Sequence, residues 1–382
     1  MPINARPRRI ALVTSSFAPH VGGVEEHVRH VARELTNLGH SVEVWTVDRG
    51  EHLGQQLVDG QTVHHLPTPL PARSARALWS YAAQAPSAWL RWVGVQRAFR
   101  PDILHVQCFG PNGLYALALH RRFRTPLVVS SHGETFADDH AVFDRSALLR
   151  AGLRSALARA TATTGCSQFV LDHLADHFGL GGGVVVPNGV DQHVSSCARE
   201  TWPAPYVFAV GRLGRQKGFD LLLSGYAASS LPRQGVRLVI GGDGPERTAL
   251  EEQRRGLGLD RMVALPGRLS AEEVAGGMAA AVAVVVPSRI EAFGIVALEA
   301  WRSGSPLIMT SRGGGPELVR DGVDAMVIDP ADRASLAGAL DTLRADPALA
   351  ARLSSAGGER VRGFTWEATA AAYDNVYSTT GR

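Results

Sequence analysis

Cysteine is scarce in this sequence, and the chain has no long run of charged or apolar residues. Its three cysteines, Cys108, Cys166 and Cys197, lie far apart and form no CxxC pair. This distribution argues against a disulfide framework and against a cysteine-ligated zinc site. We therefore expect a protein of a reducing compartment, the cytoplasm.

Long hydrophobic segments are missing as well. The longest apolar run, residues 278–287, falls short of the roughly 20 residues that a membrane-spanning helix needs. The apolar patch at residues 10–13, behind a basic N-terminus, is too short for the core of a signal peptide. We expect neither a membrane span nor a leader, and peripheral contact with the inner face of a membrane stays open.

Positive and negative side chains are nearly equal in number, so the formal net charge is only +3, and there is no long Lys/Arg run. The balance disfavours nucleic acid as a partner and suits anionic small molecules or an anionic membrane surface. Hydrophobic residues make up 45% of the chain and charged residues 20%, a composition that allows large packed cores. The length of 382 residues predicts two or three domains.

Short β-branched runs alternate with helical patterns, and the alternation restarts after an aperiodic segment at residues 192–205. This predicts two doubly wound α/β domains with parallel sheets. We place them at 1–190 and 191–363, followed by a helical tail at 364–382. Ligands of such sheets bind at the carboxyl ends of the strands, and a cleft between two domains is a favoured substrate site. Residues that follow each strand are therefore the candidates for function.

Glycine-rich turns follow several predicted strands. Gly22 and Gly23 precede a helix, where the backbone can approach a ligand closely and the helix N-terminus favours an anion. An ordinary strand-to-helix turn is the alternative. Two further turns, residues 241–246 and 312–317, also contain glycines. Neither the dinucleotide fingerprint GxGxxG nor the spacing of a P-loop is present.

Cationic and polar side chains follow other strands. The segment GRLGRQKG, residues 211–218, places three cations among three glycines. The planar guanidinium of Arg212 and the compact ammonium of Lys217 together suit a diphosphate. The alternative is a solvated basic turn. His132, in the motif SHGE, can reach a sugar hydroxyl or a reacting oxygen, unless it is a structural loop histidine.

Two carboxylates flank the predicted start of a helix in the segment EAFGIVALE. The backbone N–H groups of Phe293, Gly294 and Ile295 are expected to point out of that start, where a phosphate or carboxylate binds. Glu299 lies roughly 8 Å further along the helix axis. Glu291 and Glu299 would then bind sugar or ribose hydroxyls. The alternative is a first-turn charge at Glu291 and a paired helix residue at Glu299.

The ordered motifs GGVE, SHGE, PNGVD, GRLGRQKG, GDGPE, EAFG and GGGPE resemble the retaining GT-B glycosyltransferases of glycosyltransferase family 4. Glu291 and Glu299 match the family's E-x7-E signature, and the similarity covers nearly the whole chain. It implies a GT-B fold, in which two Rossmann-like domains with parallel sheets face each other across a cleft, and a C-terminal helix that returns to the N-terminal domain. Ala292 departs from the Gly, Ser or Pro of many relatives.

The resemblance also implies how a nucleotide-sugar donor is bound. The backbone of Gly23 would pack against its diphosphate, and Arg212 and Lys217 would neutralise the charge. Members of the family generally need no metal, and no other cofactor is expected. No DxD motif lies near a candidate site, so these two cations would balance the leaving group.

The sugar and ribose contacts follow from the same resemblance. Glu291 would contact the transferred sugar, with the amides of Phe293 and Gly294 nearby, and Glu299 would bind the ribose. His132 would lie beside the sugar and the reaction centre.

We therefore expect a retaining, metal-independent transferase with Arg212, Lys217, Glu291 and His132 as its catalytic residues. It would move a hexose-type sugar from a UDP-linked or GDP-linked donor to an acceptor hydroxyl. The alternatives are a sugar-nucleotide epimerase of the same fold and a non-catalytic sugar-nucleotide sensor. A phosphorylase would need a pyridoxal phosphate lysine, and a dehydrogenase lacks its fingerprint.

The acceptor stays open between a lipid, a small polyol, an aminocyclitol and another natural product. Residues 72–99 contain Trp79, Trp89, Trp92 and several arginines. They predict either an amphipathic surface for a lipid or membrane, or helices that pack within the domain.

Overall fold

The computed structural model describes residues 6–20, 22–71, 74–137, 142–194, 202 and 205–379. These residues form two compact units. The first contains residues 6–20, 22–71, 74–136, 142–187 and 366–379, and the second contains residues 137, 188–194, 202 and 205–365. Cys197, Ala72 and much of the segment in which we placed the domain boundary lie outside the described residues.

The first unit is built on a sheet of eight strands in the order β3-β4-β2-β1-β5-β6-β7-β8. The strands are β1 (Arg9–Thr14), β2 (Ser41–Val47), β3 (Gln55–Val58), β4 (Gln61–Leu66), β5 (Ile103–Gln107), β6 (Leu127–Ser131), β7 (Ala162–Gly165) and β8 (Val184–Val185). The helices between them are α1 (Gly23–Asn37), α2 (Ala75–Phe99), α3 (Pro111–Phe123), α4 (Val142–Arg145), α5 (Ala147–Leu157) and α6 (Gln168–Phe178).

All strand pairs of this sheet are parallel except β3 with β4. The central strands are almost entirely buried, as expected for a parallel sheet covered on both faces. The β3–β4 hairpin was not predicted. Its turn is Asp59-Gly60, and both residues have positive φ, the conformation of a type I′ hairpin turn.

One strand departs from the expected burial. The sequence predicts a buried strand at GVVVPNG, but β8 contains two residues, and Val184 and Val185 are 50% and 37% exposed. The reason is its place at the edge of the sheet, where β7 is its one partner among the described strands.

The second unit contains a parallel sheet of six strands in the order β11-β10-β9-β12-β13-β14. The strands are β9 (Tyr206–Val210), β10 (Arg237–Gly241), β11 (Val263–Gly267), β12 (Ala283–Val286), β13 (Leu307–Thr310) and β14 (Met326–Ile328). The helices are α7 (Phe219–Ala228), α8 (Arg247–Gly256), α9 (Ala271–Ala279), α10 (Ile295–Arg302), α11 (Gly315–Leu318), α12 (Arg333–Ala345) and α13 (Pro347–Val361).

Each sheet reverses its strand order at one point. In the second unit the chain moves outward from β9 to β10 and β11, and then outward on the other side from β12 to β13 and β14. In the first unit the reversal falls between β1 and β5. Loops at such switch points diverge and leave a crevice at the carboxyl ends of the strands, the usual binding place in open α/β sheets.

The last helix, α14 (Trp366–Thr379), belongs to the first unit and packs against α1. The hydroxyl of Tyr373 lies 3.1 Å from Nε2 of His27, and that of Tyr377 lies 2.6 Å from Nδ1 of His105. Both tyrosines are buried. Within the described residues, no helix is both long enough and apolar enough to cross a membrane.

Candidate functional site

The switch point of the second sheet brings two loops into contact: the basic loop, residues 211–218, and the glutamate loop, residues 287–294. Lys217 follows β9 and Glu291 follows β12, and Nζ of the lysine lies 2.8 Å from Oε2 of the glutamate. Lys217 is the only lysine of the sequence. Its side chain is 38% exposed, whereas that of Glu291 is 10% exposed. The ammonium group is therefore paired but still open to an anionic ligand.

Glu291 is fixed by its backbone as well as by its side chain. Its N–H donates to the carbonyl of Arg312 over 3.1 Å, and its own carbonyl accepts from the N–H of Gly314 over 2.7 Å. The hydroxyl of Ser288 donates to Oε2 over 2.8 Å. Gly313 has φ +91°, and a Cβ there would collide with the carbonyl oxygen of Glu291. Glycine is thus required to let the two loops approach.

The protonation state of Glu291 reflects two opposing effects. Burial acts to raise the pKa of its carboxyl group, but the charge of Lys217 and the hydrogen bonds from Lys217 and Ser288 outweigh burial and lower the pKa. Glu291 is therefore a carboxylate at neutral pH, an acceptor that can bind a ligand hydroxyl.

The basic loop is locked to the same edge of the sheet. Gly218 has φ +67°, and a Cβ there would collide with the carbonyl of Pro287. The N–H of Arg289 donates to the carbonyl of Gln216 over 2.8 Å. The guanidinium of Arg289 also binds both carboxylate oxygens of Asp220, at 2.7 and 2.6 Å. These bonds connect the chain on both sides of Lys217 to the loop that carries Glu291.

Arg212 lies earlier in the basic loop, and its side chain is exposed. The backbone next to it is tied to the loop after β10. The N–H of Leu213 donates to the carbonyl of Asp243 over 3.0 Å, and the carbonyl of Leu213 accepts from Glu246 over 2.9 Å. Arg212 is thus an exposed cation on a hydrogen-bonded backbone.

Helix α10 begins at Ile295, with Gly294 at φ +98° as its N-cap. Within the described chain, the N–H groups of Phe293, Gly294 and Ile295 contact no hydrogen-bond acceptor. They form the positive end of the helix, a favourable position for an anion. Glu299 is the fifth residue of α10 and is half-buried.

The candidate residues of the first unit are His132 and Gly23. Nε2 of the half-buried His132 lies 2.8 Å from Oε1 of Gln107. Burial lowers the pKa of His132 to about 4, so the imidazole is neutral at neutral pH. Gly23 is the exposed first residue of α1, and a Cβ there would meet no atom within 4 Å. The space above its backbone is therefore open.

Two polar residues of this region were not recognised as site residues from the sequence. Glu134 accepts hydrogen bonds from the N–H groups of Phe109 and His132 and from the hydroxyl of Ser131, over 3.0, 2.8 and 2.9 Å. Burial nevertheless raises its pKa. Gln107 is fully buried. Its sequence signal was an amide at the end of the apolar strand ILHVQ.

Among the described residues, no group of three or more His, Cys, Asp and Glu side chains is arranged to hold a metal ion.

Two family models match successive parts of the chain. The model described as Glycosyltransferase Family 4 matches residues 21–194, and that described as Glycosyl transferases group 1 matches residues 200–360. The chain is also 29% identical to a glycogen synthase of Mycobacterium tuberculosis, over 97% of this chain and 94% of the relative. It is 30% identical to a GDP-mannose-dependent alpha-mannosyltransferase of Mycolicibacterium smegmatis, over 84% of each.

Solved structures show the same fold. Sucrose-phosphate synthase from Thermosynechococcus elongatus has a TM-score of 0.80 and 23% identity, over 97% of this chain and 98% of that one. Anabaena HepE in complex with UDP-glucose has a TM-score of 0.77 and 20% identity, over 97% of this chain and 99% of that one.

The two Rossmann-like units and these matches define a GT-B glycosyltransferase. The chain belongs to glycosyltransferase family 4, and the fold class and family predicted from the sequence are confirmed.

Proposed function

We propose that the protein transfers a hexose-type sugar from a nucleoside-diphosphate sugar to an acceptor hydroxyl, and that the switch point of the second unit binds the donor diphosphate. The observation that carries this proposal is the ion pair of Lys217 and Glu291. It places a ligand-accessible cation beside a hydrogen-bond acceptor. The N–H groups of Phe293, Gly294 and Ile295, which have no acceptor among the described residues, follow Glu291 along the chain and add positive potential.

The residues divide between the parts of the donor. Lys217, Arg212 and the amides at the start of α10 would bind the diphosphate, since they supply positive charge. Glu291 and Glu299 would bind sugar and ribose hydroxyls, because a carboxylate repels phosphate and accepts from hydroxyl groups. For Gly23 and His132 we retain the roles that the family resemblance implies: a backbone contact with the diphosphate and a side-chain contact with the transferred sugar.

The reaction we propose is front-face substitution with retained configuration. The bond between the anomeric carbon and the diphosphate oxygen breaks, a bond to the acceptor oxygen forms on the same face, and the acceptor proton passes to a donor phosphate oxygen. Charge accumulates on the departing diphosphate. Fixed cations and amide dipoles stabilise that charge, which is often the largest catalytic contribution. On this account the positive side chains perform the role that a metal ion would otherwise have.

A donor panel tests the proposal. Binding of UDP-, GDP-, ADP- and TDP-sugars would be measured by calorimetry, and the best binder would then be used in transfer assays. We propose a UDP-sugar first and a GDP-sugar second: the fold neighbour HepE was solved with UDP-glucose, while the mycobacterial relative is named for GDP-mannose.

The products of the best donor distinguish the remaining mechanisms. NMR of the product should show the anomeric configuration of the donor, and turnover should persist in EDTA. Conversion of donor without any acceptor would indicate an epimerase, and binding without turnover would indicate a sensor.

We further propose that helix α2 contacts an anionic membrane. Trp79 and Leu90 are 79% and 68% exposed, and their spacing of eleven residues puts them on one helix face. Arg91 and Arg97 are also exposed, and α2 contains no Asp or Glu. An exposed aromatic and aliphatic stripe flanked by arginines suits an anionic lipid surface. Trp92, in contrast, is fully buried and packs within the unit.

A further inference from the structure

A buried row of polar side chains crosses the first sheet. Gln107 on β5, Ser130 on β6 and Thr164 on β7 are register partners, and each is at most 1% exposed. Strands of a parallel sheet are usually apolar on both faces. Buried polar groups also destabilise a fold unless they are hydrogen-bonded. A hydrogen-bond network must therefore compensate for the burial of these polar side chains, and a function would explain why they are there.

The row is part of a hydrogen-bonded chain from His132 to the C-terminal helix. Oε1 of Gln107 lies 2.8 Å from Nε2 of His132, and Nε2 of Gln107 lies 3.1 Å from Nε2 of His105. Nδ1 of His105 lies 2.6 Å from the hydroxyl of Tyr377. The hydroxyl of Ser130 lies 2.6 Å from Nε2 of His105.

Donor and acceptor chemistry assigns the hydrogen atoms of this hydrogen-bonded network. An amide oxygen only accepts, so His132 must carry its hydrogen on Nε2. The amide nitrogen of Gln107 only donates, and it lies closer to Nε2 of His105 than to Nδ1, at 3.1 and 3.4 Å. With Nε2 as the acceptor, His105 carries its hydrogen on Nδ1. That hydrogen then points to Tyr377. Burial keeps both histidines neutral, lowering the pKa of His105 to about 3 and of His132 to about 4.

We propose that Gln107 is a positioning residue that holds His132 in the Nε2–H tautomer while its amide nitrogen donates to His105. Nδ1 of His132 is then an unprotonated acceptor. If the Gln107 amide turned over, both histidines would have to exchange tautomers together. Gln107 thereby determines whether Nδ1 of His132 accepts or donates a hydrogen bond toward a ligand.

The catalytic consequence rests on the proposed function, in which His132 contacts a donor hydroxyl. The tautomer assignment does not depend on the proposed function, because the tautomer is a property of the ligand-free protein. A measurement of the tautomer therefore tests this inference separately from transferase activity.

The test is a long-range ¹H–¹⁵N NMR spectrum of the full chain labelled with ¹⁵N-histidine, at pH 7. The His132 signals are assigned by their loss in His132→Gln. We expect neutral His132 with its hydrogen on Nε2. A hydrogen on Nδ1, or an imidazolium, in the unmodified protein would overturn the proposal without any variant.

Two substitutions of Gln107 separate positioning from packing. Gln107→Leu removes the acceptor, and we expect His132 to become a mixture of tautomers. With an active donor, kcat should fall about tenfold, the effect of one hydrogen bond, with little change in donor affinity. Gln107→Glu retains an acceptor and should keep the Nε2–H tautomer. Unchanged His132 signals in Gln107→Leu would refute the role of Gln107.

The contribution of the C-terminal helix is tested by Tyr377→Phe, with Tyr226→Phe as its matched control. Both tyrosines are fully buried, and the hydroxyl of Tyr226 donates to the carbonyl of Val236 over 2.6 Å in the other unit. We expect only Tyr377→Phe to alter the His105 signals. If both variants leave those signals unchanged, the assigned hydrogen bond from Nδ1–H of His105 to Tyr377 is wrong.

Discussion

Replacing Lys217 with alanine should abolish most of the transferase activity while leaving a folded protein. The cation is lost from the proposed diphosphate site, and the effect of removing one preorganised charge-stabilising contact is about 10²–10³ in rate. The assay is the initial rate of sugar transfer at saturating donor and acceptor, because saturation removes any effect on binding alone. Lys217→Arg, which keeps the charge but not the compact ammonium, should retain an intermediate rate.

The same substitution should also cost some stability. Breaking a fully buried ion pair costs about 3–5 kcal/mol, whereas a surface pair contributes about 0–1 kcal/mol. Glu291 is 10% and Lys217 38% exposed, and Ser288 remains as a partner for the carboxylate. We therefore expect Lys217→Ala to lower the free energy of unfolding by about 1–3 kcal/mol, measured by urea unfolding.

Arg320→Ala is the matched control for this loss of stability. Nε of Arg320 lies 2.6 Å from Oδ2 of Asp324, a fully buried carboxylate of the same unit. Removal of the Arg320 side chain should destabilise the protein without a comparable loss of transfer rate. If Lys217→Ala transfers sugar at the normal rate under saturating donor, the assignment of the diphosphate site is wrong.

Further predictions concern Gly313, the dependence of activity and stability on pH, and the exposed surface of α2. Gly313→Ala should displace Glu291 and lower kcat/KM at least tenfold, because its Cβ would collide with the Glu291 carbonyl and strain a positive-φ position by about 1–3 kcal/mol; unchanged kinetics would contradict this. The kcat/KM profile should show no titration near pH 6.5, because the pKa of His132 is about 4. As pH falls from 6.5 to 4, the unfolded chain binds protons at His132 and His105 that the folded chain excludes, because burial lowers the pKa of both histidines. Urea unfolding should therefore show stability falling by up to about 1.4 kcal/mol per pH unit for each of the two histidines. A stability that rises instead would be inconsistent with neutral histidines at these positions. Trp79→Ser should weaken sedimentation with phosphatidylserine vesicles, whereas Leu57→Ser, at a side chain 73% exposed but outside α2, should not; equal binding by both would exclude α2 as the contact.

The sequence was informative wherever the structural cause was local. The start of α10 and the glycine turns depend on neighbouring residues along the chain, so the positions of Glu291 and Phe293–Ile295 relative to the helix could be predicted. Parallel sheets followed from alternating strand and helix patterns, which reflect burial on both faces.

The contact between Lys217 and Glu291 could not be predicted, because it depends on β9 lying next to β12. That neighbour relation is set by tertiary packing and is not encoded in either loop. Gln107 was overlooked for a related reason: its partner His132 follows β6 and comes within reach only when β5 and β6 pair. The exposed β8 was misjudged because hydrophobicity alone does not distinguish an edge strand from a central one.

The most direct test of the donor site uses the single lysine of the chain. In protein labelled with ¹⁵N-lysine, the ε-ammonium of Lys217 is the only labelled side-chain signal, and it can be followed by NMR while a nucleotide sugar that binds by calorimetry is added. We predict a saturable shift of this signal with the calorimetric dissociation constant, and loss of high-affinity binding in Lys217→Ala. A signal that stays unchanged at saturating donor would contradict the proposed contact between the diphosphate and Lys217.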